Sequence, residues 1–238
     1  STYGGREAPG TGEDRIEDPA QFAALTFQAA LDDAVAASGA DLEVGLRDTF
    51  PATEVPRATV LAAAPVAAVE SASVGEQVAY LLAHSENQVV EALAHTAAPA
   101  ADLPATHEGA TQLLTATAED LGVDTAGMAL VDSSGLSPDN RVSAGQLAGV
   151  VAGVARTPAL ATVLEGLPRP GEDSTLGDRF PDAPARQAVA AKTGTLDQTV
   201  SLTGTVTTTS GRVLAFSIIC SDLQWKLEPA LSLIHISE

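Results

Sequence analysis

Cysteine, lysine, asparagine, methionine and aromatic side chains are all scarce in this 238-residue chain. The single cysteine, Cys220, excludes an internal disulfide and a cysteine-built metal site, and inside an apolar segment it reads as core. Aromatic residues make up 3% of the chain, so the core must come from the alanine, valine and leucine in its 45% hydrophobic fraction. No apolar run approaches the ~18 residues of a membrane helix. Basic residues number 12 against 31 acidic ones, a net charge of −19. That balance argues against nucleic acid or an anionic membrane as partner and for a soluble protein. The length suits one or two domains with a real core.

Both ends look unnatural. The first residue is Ser1 and the one methionine is Met128, so the sequence is not expected to start at a translation start. Residues 231–238 (LSLIHISE) resemble translated read-through of a sequencing adapter and are read as a non-native tail. Residues 1–15 hold four glycines and no periodicity, as a linker or the end of an upstream segment would.

Between these ends, cap and breaker residues mark the elements. Asp18-Pro19 opens a first helix with Phe22, Leu25, Ala29 and Val35 on its apolar face and Gly39 as its stop. Leu42 to Leu46 and Thr59 to Ala63 read as short strands. Ser73-x-x-Glu76 is a capping box for a helix reaching about His84, and a second helix restarts near Asn87. Thr106 to Leu121 is a third helix in this central run, Met128 to Asp132 a short strand, and Ser143-x-x-Gln146 caps a further helix. A shorter helix follows Thr157-Pro158. Residues 167–185 form a Pro/Gly-rich structured loop. Thr199 to Val206 and Arg212 to Ile219 then alternate as a hairpin turning at Ser210-Gly211. Helices in the middle and antiparallel strands last imply an α+β fold with helices packed on an antiparallel sheet.

Chemistry concentrates at two short motifs. Lys192-Thr193-Gly194-Thr195 enters the first of the late strands, and Lys192 is one of two lysines. A fixed cation beside two hydroxyls, with a glycine that lets a ligand lie against the strand, suits a carboxylate. A strand start with an exposed lysine would look the same. Ser85-Glu86-Asn87 sits between two helices and uses one of only two asparagines, although a plain helix cap is equally consistent with it. Glu86 reads as a solvated carboxylate, since adjacent helical residues point apart. Arg141 and Arg179 read as loop-fixing ion pairs. His84, His95 and His107 lack metal-ligand companions at useful spacing, so no metal and no cofactor is expected.

Taken with Asp132-Ser133-Ser134-Gly135-Leu136-Ser137, Asp139-Asn140-Arg141, Gly171-Glu172-Asp173-Ser174-Thr175-Leu176 and Arg179-Phe180, the two motifs resemble the D-alanyl-D-alanine carboxypeptidase/endopeptidase family of low-molecular-mass penicillin-binding proteins. The resemblance spans residues 16–230. It departs at Ser133 and Ser174, where the family usually has glycine. It implies the penicillin-binding protein/β-lactamase-like (transpeptidase-like) fold and a serine D,D-peptidase acting on peptidoglycan stem peptides that end in D-Ala-D-Ala. β-Lactams would inhibit the intact enzyme, and the expected location is extracytoplasmic. It further implies that Ser85, Asn87 and Lys192 are catalytic and that Thr193, Gly194 and Thr195 bind substrate.

One motif is missing. No serine stands three residues before either lysine, so the family's Ser-x-x-Lys nucleophile is not in this sequence. The expectation is therefore the C-terminal part of a catalytic domain, N-terminally truncated and inactive alone. The other reading is a non-catalytic peptidoglycan- or peptide-binding module of the same fold; a β-lactamase fits the Asp132 to Arg141 loop less well.

Overall fold

The computed structural model describes residues 19–39, 68, 70–180 and 183–223. The expected linker, the Asp18 cap, the strands at 42–46 and 59–63 and the tail at 231–238 lie outside them. The chain divides into two compact units, Glu7–Ser71 and Ser1–Arg6 with Ala72–Glu238. In the first, α1 spans Pro19–Ser38 and ends where Gly39 takes a left-handed φ of 68°. Its expected apolar residues Phe22 and Leu25 are exposed rather than inward.

The second unit begins with α2 (Val74–His84) and α3 (Asn87–Ala97). The capping box opening α2 forms as its residues dictate: Ser73 accepts from the Glu76 N–H, and the Glu76 carboxylate accepts from the Ser73 N–H at 2.8 Å. A 3₁₀ turn (Ala98–Ala101) leads towards α4 (His107–Asp120), which packs on α3. The expected strand at 128–132 is only an isolated bridge between Ala129 and Arg141. Side chains take over beside it: the Val131 N–H goes to Asn140 Oδ1 at 2.8 Å, and the Asp132 carboxylate collects the N–H groups of Gly135 and Ser137 in the following loop at 2.7 Å each. Neither Ser133 nor Ser174 has a positive φ, so serine stands there without backbone strain. A second capping box, Ser143 with Gln146, opens α5 (Ala144–Arg156). After it come a 3₁₀ turn (Pro158–Leu160), α6 (Ala161–Glu165) and α7 (Ala183–Ala188).

Three antiparallel strands follow: β1 (Val189–Leu196), β2 (Thr199–Thr207) and β3 (Val213–Cys220), in the order β1-β2-β3. The β2–β3 turn closes where Gly211 adopts φ 81° and its N–H reaches Thr208 O at 2.9 Å. Register pairs Ala191 with Gly204 and Thr193 with Leu202, which puts Val189, Ala191, Val200 and Leu202 on one face. That face is buried under Leu176 and Phe180 from the loop at 167–180, with Phe216, Ile218 and Cys220 completing the cluster. A long loop thus supplies two core side chains, each worth about 1.5–3 kcal/mol on burial. Helix α5 packs against β3 and β2. Among the described residues no single helix is long and apolar enough to cross a membrane.

Candidate active site

The site begins with a sharp corner. Helix α2 ends on Ser85 in a left-handed conformation (φ 59°, ψ 47°), its N–H bonded to Leu81 O. Such a conformation costs a non-glycine residue about 1 kcal/mol or more. Glu86 follows in an extended conformation without capping its helix through its side chain, and α3 restarts at once at Asn87. One left-handed and one extended residue break the helix between Ser85 and Asn87, which leaves the Ser85 hydroxyl at the junction of the two helices.

Among the described residues β1 is an edge strand of the sheet, and its outer edge faces that corner. The Ala191 N–H leaves the sheet to reach Pro168 O at 2.9 Å, so alternation places the N–H groups of Thr193 and Thr195 on the same outer edge. The Lys192 ammonium reaches over this edge. It donates to Ser85 Oγ at 2.8 Å and to Thr193 O at 2.6 Å, joining residues 107 positions apart. The loop at 171–177 closes the third side: the Thr175 N–H bonds Ala83 O at 2.9 Å, and Thr193 Oγ1 donates to Thr175 Oγ1, also at 2.9 Å. Thr175 therefore ties the last turn of α2 to β1.

Burial of the Lys192 amine lowers its pKa from 10.5 to about 8. Near neutral pH roughly one molecule in ten then carries a neutral amine, which can accept a proton, while the remainder present a cation. A hydroxyl in contact with such an amine forms a two-member proton path, and the cation beside hydroxyls at an open strand edge attracts a carboxylate.

Of the other residues singled out in the sequence, Asn87 opens α3, two residues from the Ser85 hydroxyl, and is half-buried. Thr195 is exposed, and among the described residues its N–H has no backbone partner. Gly194 also lies close to the paired strand. A Cβ there would run into Ser201 Oγ on the paired strand, so the close neighbour is β2. Glu86 is buried at 7% exposure, contrary to the solvated carboxylate expected, because its extended backbone breaks the helical geometry on which that reading relied. Arg141 donates to the carbonyls of Pro138 and Asn140 at 2.6 and 2.8 Å rather than pairing with an acid. Arg179 lies over the ring of Phe180, and burial lowers its pKa. Sequence reasoning missed Thr175 as a contact of the site, since threonine in a polar loop carries no signal of its own.

Residues 9–230 match the model of the D-Ala-D-Ala carboxypeptidase 3 (S13) family. The chain is 39% identical over 178 residues to a carboxypeptidase of Mycobacterium tuberculosis, covering 70% of this chain and 39% of that protein. It is 40% identical over 163 residues to carboxypeptidase DacB of Mycolicibacterium smegmatis, covering 66% and 35%. This chain thus spans less than two-fifths of the length of either relative. Among solved structures, penicillin-binding protein 4 of Haemophilus influenzae superposes with a TM-score of 0.59 at 26% identity, over 64% of this chain and 35% of that one. The fold is therefore the α+β fold of that protein, and the chain belongs to the D-Ala-D-Ala carboxypeptidase 3 (S13) family.

Proposed function

We propose that this chain carries the proton-relay and carboxylate-binding half of a serine-type D-alanyl-D-alanine carboxypeptidase/endopeptidase acting on peptidoglycan stem peptides outside the cytoplasmic membrane. The observation that carries the reading is the 2.8 Å contact between Lys192 and Ser85, which brings both sequence motifs to one strand edge. In the reaction a serine hydroxyl attacks the penultimate D-Ala carbonyl. A C–O bond forms, the C–N bond to the terminal D-Ala breaks, and the leaving amine takes up a proton. Water then hydrolyses the ester. Ser85 and Lys192 pass the proton to the leaving amine, Asn87 orients the substrate amide, and Lys192 with Thr193 and Thr195 holds the terminal carboxylate. The Thr195 N–H, on the open edge beside Gly194, serves as one oxyanion donor; losing such a donor costs ~10²–10³ in turnover. The nucleophile is assigned to a Ser-x-x-Lys segment of the whole protein, since this sequence holds none.

Release of D-Ala from a peptide ending in D-Ala-D-Ala, by the protein from the complete gene, tests this reading. Ser85→Ala and Lys192→Ala should each lower kcat/KM by at least ~10²-fold. Full activity in either variant would remove that residue from the relay. Absence of activity in the complete protein would favour the non-catalytic binding module.

A further inference from the structure

Away from the Ser85–Lys192 edge, α3 and α4 bring together three side chains that spacing in the sequence kept apart. Glu91 and His95 lie one turn apart on α3, and His107 is the first residue of α4. Glu91 Oε2 lies 3.4 Å from His107 Nδ1 and 3.8 Å from His95 Nε2, and the two imidazole nitrogens are 3.4 Å apart. As a hydrogen-bonded cluster this is poor. The distances are long, and Glu91 Oε2 is fully buried without any hydrogen-bond donor. As a ligand set it is good. A tetrahedral zinc with bonds of ~2.0–2.2 Å has ligand–ligand edges of roughly 3.3–3.6 Å; the two 3.4 Å edges match, and the 3.8 Å edge opens the Glu91–ion–His95 angle to roughly 130°, so an ion about 2.1 Å from each atom would sit in a flattened tetrahedron.

The carboxylate is also held as a ligand should be. Its other oxygen, Oε1, accepts the N–H groups of Ser133 and Ser134 at 2.8 Å each, which fixes the rotamer and aims Oε2 at the imidazoles. The His107 side chain is 64% exposed, so the cluster opens to solvent on one side. An ion can enter there, and water can take the fourth position.

We propose that Glu91, His95 and His107 form a site for one borderline-soft divalent transition metal, of the zinc class, that clamps α3, α4 and the loop starting at Asp132. Two imidazoles and one carboxylate select such an ion over magnesium or calcium, which take oxygen ligands. The clamp is structural, lying one helical turn beyond Asn87 on α3.

Isothermal titration of the full 238-residue chain with Zn²⁺, beside thermal melting, tests the site. One equivalent should bind, and at a hundred-fold excess over Kd the melting temperature should rise by roughly 5–10 °C. His107→Ala removes an exposed side chain and leaves the fold in place; it should weaken this binding at least ~100-fold and abolish the thermal shift. His95→Ala should do the same, and Mg²⁺ should produce neither effect. Cobalt(II) should give the intense visible absorption of a four-coordinate ion in the wild type and not in His107→Ala. Zinc uptake that is equal in wild type and His107→Ala, as diffuse binding to 31 acidic residues would give, overturns the proposal, as does the absence of a zinc-dependent shift in the wild type.

Discussion

Replacing Lys192 with methionine should remove a pH dependence of stability that the wild type must show. The lysine amine is buried against Ser85 and the β1 edge, and burial brings its pKa from 10.5 down to about 8. Below pH 8 both the folded and unfolded chains carry the charge, and the folded state bears the full cost of enclosing it. Above about 10.5 both are neutral and the cost is gone. Between these limits only the unfolded chain keeps the proton, so stability rises with pH across this window. A fall from 10.5 to about 8 corresponds to about 3 kcal/mol over the whole window.

Urea unfolding followed by circular dichroism at pH 7.5, 8.5, 9.5 and 10.5 measures this directly. The wild-type unfolding free energy should climb, relative to Lys192→Met, by up to about 3 kcal/mol. Every other ionisable group is common to both proteins, so the difference between wild type and variant isolates Lys192. Parallel pH profiles would refute the burial argument and, with it, the supply of neutral amine near pH 7 that the proposed proton relay needs.

The 238-residue chain treated with a labelled penicillin should acquire no covalent adduct by mass spectrometry, because no serine in it has a lysine three residues on. Ser85→Gly should be more stable than Ser85→Ala by about 1 kcal/mol in urea unfolding, since both lose the lysine contact but only glycine relieves the left-handed φ of 59°. Gly194→Ala should destabilise by up to about 1 kcal/mol by forcing Ser201 Oγ into another rotamer, and adding Ser201→Ala should recover that loss. Glu91→Ala should cost roughly 2–4 kcal/mol by leaving the N–H groups of Ser133 and Ser134 without their acceptor. In that variant amide exchange should accelerate at these two positions, and unchanged protection would contradict the anchoring role.

What could be read from the sequence was whatever local chemistry decides. Ser73 with Glu76 and Ser143 with Gln146 form their capping boxes, and the Ser210-Gly211 hairpin turns where glycine permits a positive φ. The late strands lie within a residue of their expected limits, because alternation is a property of the segment alone. The features that escaped depend on partners far along the chain. Met128 to Asp132 has the composition of a strand, yet the Asn140 and Asp132 side chains take over the local hydrogen bonding and leave a single bridge. Burial of Leu176 and Phe180 comes from packing on β1 and β2, which a Pro/Gly-rich loop does not advertise. His95 and His107 looked partnerless because only α3–α4 packing brings them to Glu91.

Asn87 and Glu91 stand four residues apart and so share a face of α3. A helix that begins directly after a two-residue corner can still rotate about its axis, and such rotation would re-aim the Asn87 side chain at its first turn. Two restraints oppose it. At the N-terminal end, the left-handed Ser85 is tied through Lys192 to β1. One turn further on, Glu91 is tied by two 2.8 Å bonds to the backbone of the loop starting at Asp132. That loop is itself closed on the Asp132 carboxylate, which accepts from Gly135, Ser137 and Asn140. The run from Asp132 to Arg141 therefore has a physical task that its distance from Lys192 in sequence conceals. It fixes the rotation of the helix on which Asn87 is mounted, and a metal held by Glu91, His95 and His107 would extend the same restraint to α4.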